Sequence, residues 1–257
     1  MIDLHTHVLP GLDDGPEHMA GSLALARAAV AAGTQVMAAT PHVGLRYPVA
    51  PRELAVRLEA LRDALDRERI PLTVVAGGEL AAGVAADVTE DDLRAIGLGG
   101  GSCILLECPY ARSGGLMPAV VGHLRQGGFR VLLGHPERSP ELLRDPALLA
   151  GLVDAGAYVQ VTAASLRGDF GRSVRRYALA LLDEGLVHVV ASDAHDAVGR
   201  PPELVPIVRD VVRRAGLPAA TARFLTEDAP RALLDDAPLP PQPAHAPRRR
   251  RGWPRRR

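Results

Sequence analysis

His5 and His7 stand one residue apart at the end of the chain's first apolar run, and Asp193 and His195 repeat that spacing far downstream. Side chains two apart on an extended segment point to the same side. His42, Glu79, Glu107 and His135 each follow a further short apolar run. Imidazole and carboxylate donors without a thiolate suit manganese, iron or zinc better than soft ions or an all-oxygen calcium site. Carboxylates shared between two ions can hold a water where it attacks a phosphate ester. Taken singly, each residue has a plainer reading: a lone histidine as a surface or hydrogen-bonded residue, a lone acid as a loop cap. Eight of them behind six apolar runs favour a metal site.

Those runs are Ile2–Leu4, Gln35–Thr40, Leu72–Ala76, Cys103–Leu106, Arg130–Leu133, Ala157–Thr162 and His188–Ser192. They are brief and lack polar alternation, as expected of parallel strands buried on both faces. Helical spacing of apolar residues predicts helices over 17–32, 51–69, 91–96, 116–126, 140–155, 172–184 and 202–215, with shorter ones at 219–225 and 229–234. Seven strands, each followed by a helix, give an α/β chain, and the length favours a closed barrel over an open sheet. The strand ends of such a barrel converge on one face, where active sites lie. No GxGxxG follows the first strand, which speaks against dinucleotide binding.

All 30 basic residues are arginine, so the lysine of a P-loop ATPase and Schiff-base chemistry are both absent. Cys103 and Cys108 form no CxxC pair, and neither is followed by the arginine six residues on that a thiol-dependent tyrosine phosphatase needs. Both read as small core residues, and His18, His123 and His188 read as structural. No signal peptide or membrane span is apparent, so a cytoplasmic protein is expected. The formal net charge of zero conceals an uneven distribution. Seven arginines lie within 248–257, leaving 23 basic against 30 acidic residues before them. An acidic body with eight aromatic residues in the whole chain disfavours nucleic-acid binding. We expect one domain over 1–236, then a proline-rich linker and a disordered arginine-rich tail over 237–257. The tail is a candidate contact for a peripheral membrane surface or an acidic partner.

The opening MIDLHTHVLPGLDDG resembles that of the bacterial capsule and exopolysaccharide tyrosine phosphatases of the CpsB/CapC family, within the PHP (polymerase and histidinol phosphatase) superfamily. Ala39–His42, Gly77–Glu79, Leu105–Glu107, Gly134–Arg138, Thr162–Gly171 and Ala191–His195 are similar too, and the resemblance spans about residues 1–235. It implies a distorted TIM-like (β/α)7 barrel with two or three ions, manganese foremost, with iron or zinc as other candidates. His5, His7, Glu79 and Asp193 would hold one ion, and Glu79, Glu107 and His135 a second. Asp14, His42 and His195 would hold a third. Glu17 would support the site from behind, and Arg138 and Arg200 match the arginines that contact phosphate. Ser139 stands where an aromatic residue is usual, and Glu107-Cys-Pro-Tyr110 replaces a more aromatic pattern, which bears on how a substrate ring is held.

The function expected is metal-dependent hydrolysis of phosphotyrosine in proteins. Water activated between the ions attacks phosphorus in line, and the two arginines clamp the phosphate. By resemblance the partner is an autophosphorylating tyrosine kinase of polysaccharide export; assembly into a homo-oligomer is left open. The alternatives are a small-molecule phosphatase, such as one for histidinol phosphate, and a non-catalytic metal-binding module. A nuclease ranks third among the enzymatic readings.

Overall fold

The computed structural model describes residues 1–48, 50–111 and 114–244; the arginine-rich end lies outside the described residues. Its strands are β1 (Ile2–Thr6), β2 (Val36–Ala39), β3 (His42–Val43), β4 (Thr73–Val75), β5 (Glu79–Ala81), β6 (Cys103–Glu107), β7 (Arg130–Gly134), β8 (Tyr158–Thr162) and β9 (Val189–Ala191). All pair in parallel, in one sheet of order β1-β2-β4 and another of order β3-β5-β6-β7-β8-β9. Every expected apolar run contains a strand. Two runs continue past an interruption into a second strand. Pro41, which has no N–H to donate, separates β2 from β3. Gly77 and Gly78 separate β4 from β5, where a Cβ would come within 3.0 Å of Leu98 and of Ile96 respectively.

The sheets meet at one seam. Thr6 bridges Ala194, His7 N donates to Ala194 O at 2.8 Å, and Asp193 N donates to His5 O at 2.9 Å. This seam sets the first HxH beside the late DxH. Asp3, buried beneath it, accepts from Ser192 N at 3.0 Å.

Both strand faces are apolar, as parallel pairing requires. Ile2, Leu4, Cys103, Leu105, Val189 and Ala191 form one cluster with Leu233. The alternate residues, among them Ile104, Leu106, Val131, Leu133, Val159 and Val161, pack in a larger cluster with the helices. Leu105 is fully buried, and truncating such a residue to alanine costs about 2–5 kcal/mol.

The helices follow their predicted spans with one break. The stretch expected as a single helix over 140–155 is two, Pro140–Arg144 and Pro146–Asp154. Pro146 cannot supply a helical N–H, and Asp145 restarts the chain as a cap, accepting from Ala147 N and Leu148 N. Sequence periodicity did not predict the five-residue helix Ala163–Arg167. The start of the stretch expected as a linker is extended but docked on the body. Arg130 donates to Ala237 O at 2.9 Å, Leu239 packs against the core, and Gln242 donates to Val187 O at 3.1 Å. Among the described residues, no helix is long and apolar enough to cross a membrane.

Candidate metal centre

The strand ends bring together all nine residues expected as metal ligands. Four groups have ligand atoms within 4.8 Å of one another: His7, Asp14, His42 and His195; His5, His7 and Asp193; His5, Glu79 and His135; and His42, Glu79 and Glu107. Glu79 belongs to two of these groups. Glu107, however, groups with His42 rather than with His135, and His7 also joins the set built on Asp14.

The outer nitrogens of two histidines fix where their lone pairs point. His5 Nδ1 lies 3.0 Å from the Gln160 side-chain oxygen, which can only accept, so Nδ1 carries the proton. His7 Nδ1 donates in the same way to Asp13 Oδ2 at 2.7 Å. In the neutral rings both Nε2 lone pairs then face inward, 3.4 Å apart. Carboxylate oxygens crowd the same space: Glu79 Oε2 is 3.3 Å from His5 Nε2 and 3.5 Å from His7 Nε2, and Asp193 Oδ1 is 3.5 and 3.4 Å from them. Glu79 Oε2 is buried with no well-formed hydrogen bond. His42 Nδ1, 3.0 Å from Glu79 Oε2, and His135 Nε2, 2.8 Å from Glu79 Oε1, also face this carboxylate. So many acceptors on one buried space favour positive charge there, and these borderline nitrogen and hard oxygen atoms fit a divalent transition ion.

The electrostatics agree. Burial opposes protonation of His7, but hydrogen bonds to Asp13 and Asp193 outweigh it and push the ring up to about 10. Burial and the neighbouring Glu79 carboxylate push Glu107 up to about 7. Burial and the nearby His7 charge push His195 down to about 3. Around His7 and Glu107 negative charge prevails and favours a bound cation, proton or metal ion, while His195 faces the positive charge of His7.

Two residues of the cluster carry unusual backbone. His135 and Asp193 have φ of +36° and +55°, in the left-handed region that non-glycine residues seldom adopt. Strain of this kind concentrates at functional sites. His135 follows directly on β7 and Asp193 stands two residues past the end of β9, where the chain must turn sharply to aim a side chain over the strand ends.

Arg138 and Arg200 flank the cluster, and both donate to Asp193 Oδ2, at 2.5 and 2.6 Å. Arg138 is held from two sides, its guanidinium carbon 5.0 Å from the Tyr110 ring centre and 4.3 Å from that of Phe170. Arg200 is carried on a turn organised by Asp196, whose carboxylate accepts from the N–H groups of Val198, Gly199 and Arg200. The mouth is a cavity of about 340 Å³ lined by these arginines, the ligand cluster and the loop 43–47. Tyr47 stacks on His42 and Tyr110 on His135 at its sides.

The support expected of Glu17 comes from elsewhere. Its side chain is 87% exposed, and its ionic neighbour is His18. Asp13 takes that place: it accepts from His7 Nδ1, His42 N and Gly15 N. Gly15 permits this, because a Cβ there would lie 2.2 Å from His7 O. Gln160, Tyr47 and Phe170 were likewise not singled out from the sequence. Gln160 carried the clearest signal, as a polar residue inside the apolar run Ala157–Thr162.

A parallel α/β scaffold with a buried imidazole–carboxylate cluster at its strand ends defines a candidate metal-centre protein. The CpsB/CapC family, described as capsular polysaccharide synthesis proteins, matches residues 1–235, and the chain belongs to it. It is 37% identical over 206 residues to the tyrosine-protein phosphatase YwqE of Bacillus subtilis (strain 168), covering 78% of this chain and 79% of that one. To the tyrosine-protein phosphatase CpsB of Streptococcus agalactiae serotype III (strain NEM316) it is 25% identical over 233 residues, 88% of this chain and 95% of the other. It also resembles a crystal structure from a set of YwqE from Bacillus subtilis and CpsB from Streptococcus pneumoniae, described as unique metal-dependent tyrosine phosphatases. That match has a TM-score of 0.85 and 33% identity, covering 95% of this chain and 100% of the other.

Proposed function

We propose that this protein is a metal-dependent protein-tyrosine phosphatase of capsule or exopolysaccharide synthesis. The observation that carries the reading is the convergence of His5, His7, Glu79 and Asp193 acceptors on one space between two arginines. His5, His7, Glu79 and Asp193 would hold one ion and Glu79, Glu107 and His135 a second, with His42 also close to that pair. Asp14, His42 and His195 would hold a third, with His7 alongside. Manganese is the leading candidate, and iron or zinc would suit the same donors. The pairings support a closed barrel of seven strands, counting β2 with β3 and β4 with β5 as single interrupted strands and closing at the β1–β9 seam. Residues 1–236 form the phosphatase domain in this reading.

Bound ions would supply Lewis-acid charge and activate water at neutral pH. The chain's own residues do the rest. Arg138 and Arg200 bind equatorial phosphoryl oxygens through the guanidinium N–H groups that Asp193 leaves free. Asp13 and Gln160 hold His7 and His5 in the tautomer that keeps Nε2 as a donor to metal. A phenol leaving group, with pKa about 10, needs little protonation. The substrate would be a kinase that phosphorylates itself on tyrosine for polysaccharide export. Phosphotyrosine is made where ATP is abundant, which places the enzyme in the cytoplasm.

Tyr47 and Tyr110 beside the cavity favour an aryl phosphate over a small alkyl one such as histidinol phosphate. The test compares a phosphotyrosine peptide, a phosphoserine peptide and histidinol phosphate, each with Mn²⁺ and with chelator. Preference for the first, dependent on metal, is expected; preference for histidinol phosphate would overturn the substrate assignment.

A further inference from the structure

Large apolar side chains are strongly exposed at four described positions: Leu45, Val56, Tyr110 and Val198, at 89%, 64%, 49% and 88%. An isolated exposed apolar residue is ordinary. Their distribution here is not, because two of the four line the cavity at the metal centre and a third sits on the turn that carries Arg200. Leu45 and Tyr110 line the cavity itself. Val198 is at the tip of the turn between His195 and Arg200, which is closed by a hydrogen bond from His195 N to Arg200 O at 3.1 Å. That turn is built to be rigid, with three N–H groups on the Asp196 carboxylate, so Val198 is held outward. Leu45 has the same setting: Gly44 N donates to Tyr47 O across its turn, and Tyr47 is anchored on the His42 ring. Arg46, between them, is exposed and forms no ion pair among the described residues.

We infer that Leu45, Tyr110 and Val198 form an apolar rim that docks the peptide on either side of a phosphotyrosine, with Arg46 facing an acidic residue of that peptide. The inference rests on the phosphatase reading and adds to it the surface that holds the residues flanking the phosphotyrosine. A cavity of about 340 Å³ is at the small end for a ligand pocket. It suits the phosphorylated side chain, while the flanking residues must lie on the rim. The rim is continuous with the phosphate site, and its lone cation complements an acidic segment. Preformed loops carrying apolar tips lose little entropy when covered.

The test uses the full-length, metal-loaded protein and the double variant L45S/V198S, which alters neither a ligand nor an arginine. A phosphotyrosine peptide with apolar and acidic flanks is compared with free O-phosphotyrosine. KM for the peptide should rise by about tenfold, in line with losing part of two buried side chains, with kcat unchanged. For free phosphotyrosine kcat should hold and KM should shift much less than for the peptide, since Leu45 alone of the two lines the cavity. R46E should raise the peptide's KM at low salt and have little effect at high salt. An equal loss on both substrates, or no loss on either, overturns the rim. If instead the double variant changes only the oligomeric state in sedimentation, the rim is a self-association surface and the inference falls. An unmutated protein that cleaves neither substrate overturns the phosphatase reading itself.

Discussion

Asp13 Oδ2 accepts a hydrogen bond from His7 Nδ1 at 2.7 Å, and through that contact a loop residue decides which nitrogen of His7 faces the cluster of His5, Glu79 and Asp193. The same oxygen accepts from His42 N at 2.9 Å, tying the ends of two strands to one carboxylate. Removing such a partner ordinarily lowers metal affinity by about 10–100-fold. Asp13→Ala should do so, read as the Mn²⁺ concentration that half-restores activity, with unchanged circular dichroism. Unaltered affinity would show that Asp13 is only a turn residue.

Phe170 should matter to catalysis without touching substrate. Its ring lies 4.3 Å from the Arg138 guanidinium carbon, nearer than Tyr110. A cation–π contact is worth about 0.5–2 kcal/mol. Phe170→Leu should therefore cut kcat/KM on phosphotyrosine by about twofold to thirtyfold, while Phe170→Tyr keeps most of it. Equal losses in both variants would mean the ring acts through packing alone.

His188 lies far from the centre along its strand and provides a pH test of the fold. Burial pushes its ring down to about 4, below the usual 6.5. Its Nδ1 accepts from Val159 N at 3.1 Å, which requires that nitrogen to be unprotonated. The unfolded chain binds the proton first as pH falls. Stability is therefore complete above about pH 6.5 and declines toward pH 4. His188→Gln should remove about 1–3 kcal/mol of that decline, measured by urea unfolding at pH 7 and pH 4.5. Parallel pH profiles for the two proteins would contradict this.

Metal should also stabilise the folded chain. Ligand acceptors that face one another repel until a cation is bound, and an ion at a hundred times its Kd adds about 2.7 kcal/mol. Stripping the protein should lower Tm by about 5–10 °C, and Mn²⁺ should restore it. No shift would place the cluster outside metal binding.

Asp14 apart, the candidate ligands and their spacing were legible in the sequence because each follows an apolar run, and apolar runs become buried parallel strands. His5, His7, Asp193 and His195 could be placed together only once β1 and β9 were neighbours, a contact between residues nearly 190 apart in the chain. Asp13 was harder to see. Its role depends on a loop folding back onto His7 O at Gly15, and nothing periodic marks such a loop. Glu17, close by in sequence, was the natural candidate, and the same turn sends it outward. The break at Asp145–Pro146 was readable in principle from proline and cap chemistry. The left-handed backbone of His135 and Asp193 was not, since tertiary contacts impose it on residues that would otherwise avoid it.

The central claim is tested most directly by phosphate release from a phosphotyrosine peptide, before and after Mn²⁺ is returned to stripped protein. The account predicts no release from stripped protein, recovery with Mn²⁺, and no recovery at any Mn²⁺ concentration for the H5A/H7A variant. Full activity in the presence of chelator, or in that variant, would contradict it.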